Sequence, residues 1–143
     1  MKTVSVKGLD DIIKRLDGMV SDEIIDSGVA KTAALIQGQA KLLAPVDTGD
    51  LRRSIKLNIA EGHTAEVYTN SDHAIFNEYG TGTKGDKEVA HTTKESWVYK
   101  GTDGKYHTSH GMMPRPFMRP AAEEGARQAA EIFSRIIKEG EDK

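Results

Sequence analysis

Three groups of residues carry types and spacings that could support chemistry. Gly80-Thr81-Gly82-Thr83-Lys84-Gly85 has the G-x-G-x-x-G spacing of a dinucleotide site. Such a site works because a helix N-terminus follows the glycines and offers its amides and dipole to a pyrophosphate. Here Asp86 to Thr93 follow, with no apolar period to dock a helix on a sheet, and Lys84 precedes Gly85 rather than the Ser or Thr of a Walker loop. The segment therefore reads as a flexible glycine loop. Asp47-x-x-Asp50 could pair two carboxylates for acid–base work or a metal. The simpler role is a cap, with Asp47 or Thr48 closing a short turn of helix that opens at Gly49 and Asp50 near its positive end. His107-x-x-His110 could supply two metal ligands, but all five histidines fall between His63 and His110, where little apolar sequence exists to hold an imidazole rigidly.

The absent motifs narrow the chemistry further. There is no cysteine, hence no thiol nucleophile, disulfide or Cys-ligated metal, and neither H-E-x-x-H nor G-x-S-x-G occurs. The residues assign no catalytic, cofactor or metal site, and the chain reads as a non-enzyme. Two alternatives remain open on the residues alone. One is a metal-dependent hydrolase using Asp47, Asp50 and some of His73, His107 and His110; the other is a small DNA-associated module using Arg52, Arg53 and Lys56. The overall charge opposes the latter: 20 Lys+Arg against 22 Asp+Glu leave −2, whereas a dedicated nucleic-acid binder normally carries a basic excess. No apolar run approaches the ~18 residues of a membrane span, and MKTVSVKGLDD lacks the apolar core of a signal peptide, so the expectation is a chain that stays where it is made.

The elements that must position any site follow from where the apolar residues lie. Between Phe76 and Phe117, 40 residues hold only two of the Leu, Ile, Val and Phe set, Val89 and Val98, while the other 27 occupy the flanks. The core is built from the flanks and the middle projects from it. Leu9, Ile12, Ile13 and Leu16 give a short amphipathic helix over 8–18. Ser21 as N-cap and Ile25, Val29, Ala33, Ile36, Ala40 and Leu43 at helical spacing give a long helix over 22–44, stopped by Pro45 and spanning about 35 Å. Small residues such as Gly28, Ala33 and Gly38 allow a neighbour to come close.

Ile55, Leu57 and Ile59 then alternate with polar residues, and with Ala65–Thr69 they predict an antiparallel hairpin. Ala74-Ile75-Phe76 extends the strand region to Tyr79, so 55–79 reads as strands, 80–95 as the flexible loop and 96–107 as a second, projecting hairpin. Pro120 suits the first position of a C-terminal helix over 119–138, with Ala122, Ala126, Ala129, Phe133 and Ile136 on one stripe. The expectation is one α+β domain over 1–143. It is a small antiparallel sheet of about four strands, with a long N-terminal helix and a C-terminal helix packed on one face.

Three segments together resemble the tail-completion or head–tail joining proteins of long-tailed bacteriophages: A-P-V-D-T-G-D-L-R-R-S-I at 44–55, N-E-Y-G-T-G-T-K at 77–84 and P-R-P-F-M-R-P-A at 114–121. The resemblance implies a small α+β structural component of the virion tail and neck, made in the bacterial host cytoplasm. It implies rings, hexameric by the family pattern, that complete the tail and join it to the head connector. The partners implied are sister subunits, tail-tube or terminator proteins and connector proteins, with DNA only passing through the lumen and no cofactor, membrane or small-molecule substrate. Tail-terminator and connector roles share such scaffolds and stay open. The residues carried over are Pro45, Asp47, Thr48, Gly49, Leu51 and Arg52; Glu78, Tyr79, Gly80 and Thr81; and Arg115, Pro116, Phe117, Pro120 and Ala121. Physically, the first group turns the chain from helix to sheet, and Phe117 plugs the core between prolines. Arg115 and Arg119 would then be free for a neighbour's carboxylates or carbonyls.

Segments loose in a free subunit often order only against a partner. Limited proteolysis of the free protein is therefore expected to cut first within 81–113; a fully protected middle in a monomer would count against the assembly reading.

Overall fold

The first well-capped helix is α2, Asp22–Leu43, which follows the seven-residue α1, Asp10–Leu16. Ser21 starts α2 by accepting the Ile24 N–H at 3.4 Å, with Asp22 and Glu23 in the positive first turn. The helix ends where Ala44 donates its N–H to the Ala40 carbonyl and Pro45 follows. The chain then forms α3 (Asp50–Ser54), β1 (Ile55–Ala60), β2 (Thr64–Thr69), α4 (Ala74–Tyr79), a short 3-10 turn (Gly82–Lys84), β3 (Trp97–Lys100), β4 (Tyr106–Ser109) and α5 (Met118–Glu141). This computed structural model describes residues 10–16, 18–46, 49–87, 94–101 and 103–141.

Helix α2 is the axis of the fold. One side bears the β1–β2 hairpin, paired antiparallel from Ile55↔Thr69 to Ala60↔Thr64, with Gln37 donating to the Ile55 carbonyl at 3.1 Å. Helix α5 also lies along α2. Two glycines, one from each helix, make that crossing close. A Cβ on Gly28 would stand 2.2 Å from the Phe133 ring, and one on Gly125 would stand 2.3 Å from the Ile36 side chain. Gly28 meets Phe133 while Gly125 meets Ile36, so the helices run antiparallel, each receiving a large side chain over the other's glycine. Around the C-terminal half of α2, Ala33, Ile36, Ala40 and Ala44 share a core with Leu51, Ile55, Val67, Ala74, Phe117, Met118 and Ala121. Around its N-terminal half, Ile25, Val29 and Phe133 are covered by Ile12, Ile13, Leu16 and Val20.

The α+β class is found, with several corrections to its arrangement. The four strands make two separate two-stranded sheets, β1–β2 and β3–β4, and not one sheet. The helix nearest the N-terminus is short, and the 22-residue helix is the second. Helix α5 packs principally on α2; its first turn, through Met118 and Ala121, joins the core that holds Ile55 and Val67 of the β1–β2 hairpin, and farther along Phe133 belongs to the cluster against which Ala65 of β2 packs. Residues 74–79, expected as strand, form α4: Ala74 and Glu78, four apart, are its buried face, and Gly80 ends it with φ 74° while donating to the Phe76 carbonyl. A short apolar run is compatible with either period, and here the buried i, i+4 pair decides. Helix α5 begins at Met118, so Pro120 is its third residue rather than its first, still inside the turn where an N–H has no intrahelical acceptor. Among the described residues, no helix is long and apolar enough to cross a membrane.

Glycine substitutions separate packing from propensity. Gly28→Ala and Gly125→Ala are expected to lose about 1–2 kcal/mol net in urea unfolding, because overpacking outweighs the gain in helix propensity. Gly38, with nothing within 4 Å of its Cβ position, should gain about 0.5–1 kcal/mol as Gly38→Ala.

Candidate functional site

Helix α5 opens with Phe117-Met118-Arg119-Pro120, and no Ser, Thr, Asp or Asn precedes it to cap the free amides. The cap comes instead from Glu78, on α4 and nearly 40 residues upstream. Its side chain is only 2% exposed. Oε2 accepts the N–H groups of Phe117 and Met118, and Oε1 accepts the N–H of Arg119, each at 2.9 Å. The fourth position is Pro120, which has no N–H to satisfy. One carboxylate and one proline thus close the whole N-terminus of α5, and the negative charge sits at the positive end of a 24-residue helix.

Arg119 completes the arrangement. Its Nε donates to Glu78 Oε1 at 2.9 Å, one terminal nitrogen to the Glu78 carbonyl at 2.8 Å, and the other to Asp86 Oδ2 at 3.1 Å. The guanidinium lies 4.6 Å above the Tyr79 ring. Burial alone would lower its pKa, but the hydrogen bonds to Glu78 and Asp86 and the Glu78 charge outweigh that and raise it above the ordinary arginine value. The Arg119 side chain is therefore committed within its own chain and is not the free donor to a neighbour that the sequence led us to expect. Arg115 has an exposed side chain, with its N–H donating to the Asn77 carbonyl at 2.6 Å.

The chain between these partners is fastened as well. Thr81 and Met112 exchange backbone hydrogen bonds of 2.9 and 3.1 Å, and the Asp86 N–H donates to the Tyr79 carbonyl at 2.7 Å. Gly80 is required here. Its φ is 74°, and a Cβ would stand 2.5 Å from the Met112 carbonyl oxygen. Residues 80–87 are thus a pinned turn where composition pointed to an open loop, and the amides of Thr81, Gly85 and Asp86 bond internally rather than facing a phosphate.

The three sequence segments meet at one place. Leu51, Phe117 and Ala121 are buried together with Ile55 and Met118, while Glu78, Tyr79 and Gly80 clamp the start of α5. Pro45 follows the end of α2; Gly49, at φ 85°, precedes α3; Arg52 and Pro116 face solvent. Asp47 and Thr48, and with them their expected capping role, lie outside the described residues. Sequence reasoning assigned Glu78 no specific task, although an uncapped α5 and an acidic residue within the run Ala74 to Tyr79 were both visible.

The chemistry of this hub is structural. A carboxylate offers about four acceptor positions, and four donors fill those of Glu78. Of the described residues of the hydrolase alternative, Asp50 pairs with Arg53, His107 pairs with Asp103, and His73 starts α4. Among the described residues, no three His, Cys, Asp or Glu side chains gather as metal ligands. Glu78→Ala would leave three amides and the Arg119 Nε without their acceptor. It should cost about 3–5 kcal/mol in denaturant unfolding, and Glu78→Gln about 1–3 kcal/mol. Parental stability in Glu78→Ala would refute the role given to this carboxylate.

Comparison with known proteins places this geometry in a family. No curated protein and no solved structure matches the chain. Residues 8–80, just over half of the chain, match the family model described as "Bacteriophage HK97-gp10, putative tail-component". The match takes in α1 to α4 and the first two segments as far as Gly80, and it stops short of the third segment, which Glu78 clasps. The chain belongs to the HK97-gp10-like family of bacteriophage tail components.

Proposed function

We propose that this protein is a structural and assembly component of the virion that completes the tail and joins it to the head connector, acting as one domain in a ring of like subunits. Membership of the tail-component family carries the reading. The hub supports it. Glu78 to Thr81 from the second segment and Phe117 to Ala121 from the third meet beside the Thr81↔Met112 bridge at which the β3–β4 hairpin is rooted, and Leu51 from the first shares the core with Phe117 and Ala121. Their shared task is to hold that hairpin at a fixed place on the body. A component that docks between neighbours needs a stiff root and an uncovered projection, and the hairpin residues Val98, Tyr99 and Tyr106 are exposed. The partners are sister subunits, tail-tube or terminator proteins and connector proteins, with DNA passing through the lumen unread. The place of work is the tail and neck of the particle, and a saturated Glu78 supports a role without catalysis.

The test is assembly. A phage lacking this protein should accumulate filled heads and separate tails, and purified protein added to the mixture should restore joined particles. Joined, infectious particles in the absence of the protein would overturn the proposal.

A further inference from the structure

The two ends of α2 carry surfaces of opposite character. Because Gly125 meets Ile36 and Gly28 meets Phe133, the start of α5 lies at the C-terminal end of α2. The β3–β4 hairpin is rooted there, through the Thr81↔Met112 bridge and through Trp97, whose ring stands 3.0 Å from the Cβ position of Gly82. Register pairs Val98 with Thr108 and Lys100 with Tyr106, so these four share one face. The other face is occupied with itself: Trp97 sits on Gly82, the Tyr99 and His107 rings are 5.7 Å apart, and His107 pairs with Asp103 at 3.0 Å. On the first face Val98 is 65% and Tyr106 75% exposed, with Lys100 between them and Lys105 at the turn, also exposed. A two-stranded ribbon with an uncovered apolar face is marginal in water without something packed on it.

The opposite end lies about 33 Å away along the 22 residues of α2. There His63 fastens the β1–β2 turn to the helix start, with Nδ1 2.8 Å from Asp26 and Nε2 3.5 Å from Asp22. This brings Met19 (78% exposed) and Ile59 (57% exposed) to the same end as the exposed carboxylates of Asp22, Glu23 and Glu61. The hairpin face thus carries Lys100 and Lys105, with Asp103 committed to His107, while the surface around the β1–β2 turn carries Asp22, Glu23, Asp26 and Glu61, the Lys14, Arg15 and Lys138 cations of that end lying where α1 meets α5.

We infer that a second copy of this chain covers the hairpin: Val98, Lys100 and Tyr106 of one subunit seat against Met19, Ile59 and the Glu23 and Glu61 carboxylates of the next. This inference rests on the ring reading above and names its contact. The two patches are different surfaces of one chain, so the contact is heterologous and repeats head to tail, the type that closes into rings when the rotation permits. Charge complementarity supplies the steering and selects the acidic surface around the β1–β2 turn over the basic segment around Arg52 and Lys56.

Sedimentation of the purified full chain at low and high salt, with two charge-reversed variants, tests this. Lys100→Glu with Lys105→Glu makes the hairpin acidic, and Glu23→Lys with Glu61→Lys makes the far end basic. All four sites are exposed, and circular dichroism checks the fold. The parent should self-associate, more weakly at high salt. Each variant alone should lose about tenfold or more in association constant, and an equimolar mixture of the two should regain it by alternating. Tyr106→Ser should weaken association in the parental charge background. An oligomeric parent whose variants associate unchanged would overturn this contact while leaving the ring reading standing, and a mixture that stays dissociated would overturn it as well. A parent that is monomeric at every salt and concentration would also overturn it, with the joining assay still deciding the function. Variants that self-associate normally but no longer join tails would assign the hairpin to another virion protein and defeat the inference.

Discussion

Removing a carboxylate from water is costly unless donors replace its hydration on every side, and Glu78 meets that condition with three consecutive backbone amides and a guanidinium. Much of the arrangement around it follows. The three amides exist as unbonded donors only because a helix begins at Met118, and that helix begins without a local cap because Glu78 supplies one. Arg119 can approach because the carboxylate is there, and its remaining nitrogens then fix the Glu78 carbonyl and Asp86. A single side chain therefore ties α4, the following turn and the first turn of α5 into one unit around Phe117, which is fully buried.

That unit matters because it stands at one end of a long lever. The α2–α5 pair is held close by reciprocal glycines, so α5 cannot shift without driving Phe133 or Ile36 into a backbone. With α5 fixed on α2 at one level and clasped by Glu78 at another, the root of the β3–β4 hairpin has a set position relative to the far end of α2. A molecule with a stiff body, an anchored projection and differently charged surfaces is suited to repetition. This is how the packing reaches the assembly reading without any reactive group taking part.

Much of the framework was legible in the chain because it rests on local periodicity. The Ser21 cap, the helical spacing from Ile25 to Ala40, the Pro45 stop and the alternation from Ile55 to Ile59 are each short-range signals, and the α+β class follows from them. The misreadings share a cause. Ala74 to Tyr79 reads as strand because six residues cannot declare a period, and the deciding fact, that Glu78 is buried beside Ala74, depends on a helix start nearly 40 residues away. The second hairpin could not be separated from the first sheet by composition, since sheet membership is a long-range property. Gly125 gave no hint of its partner Ile36, and Arg119 looked like a free surface cation because nothing in its neighbourhood in sequence names Glu78 or Asp86. The three motif segments were visible as residues, while their meeting around one carboxylate required the fold.

Native-state hydrogen exchange at the amides of Phe117, Met118 and Arg119 tests most directly whether the buried carboxylate holds the hub together. If Glu78 caps these groups as described, all three exchange only through an opening nearly as costly as global unfolding, and they do so together with the Thr81 and Met112 amides that the same unit contains. Exchange at the rate of a frayed helix end, with Thr81 and Met112 protected independently, would contradict the account.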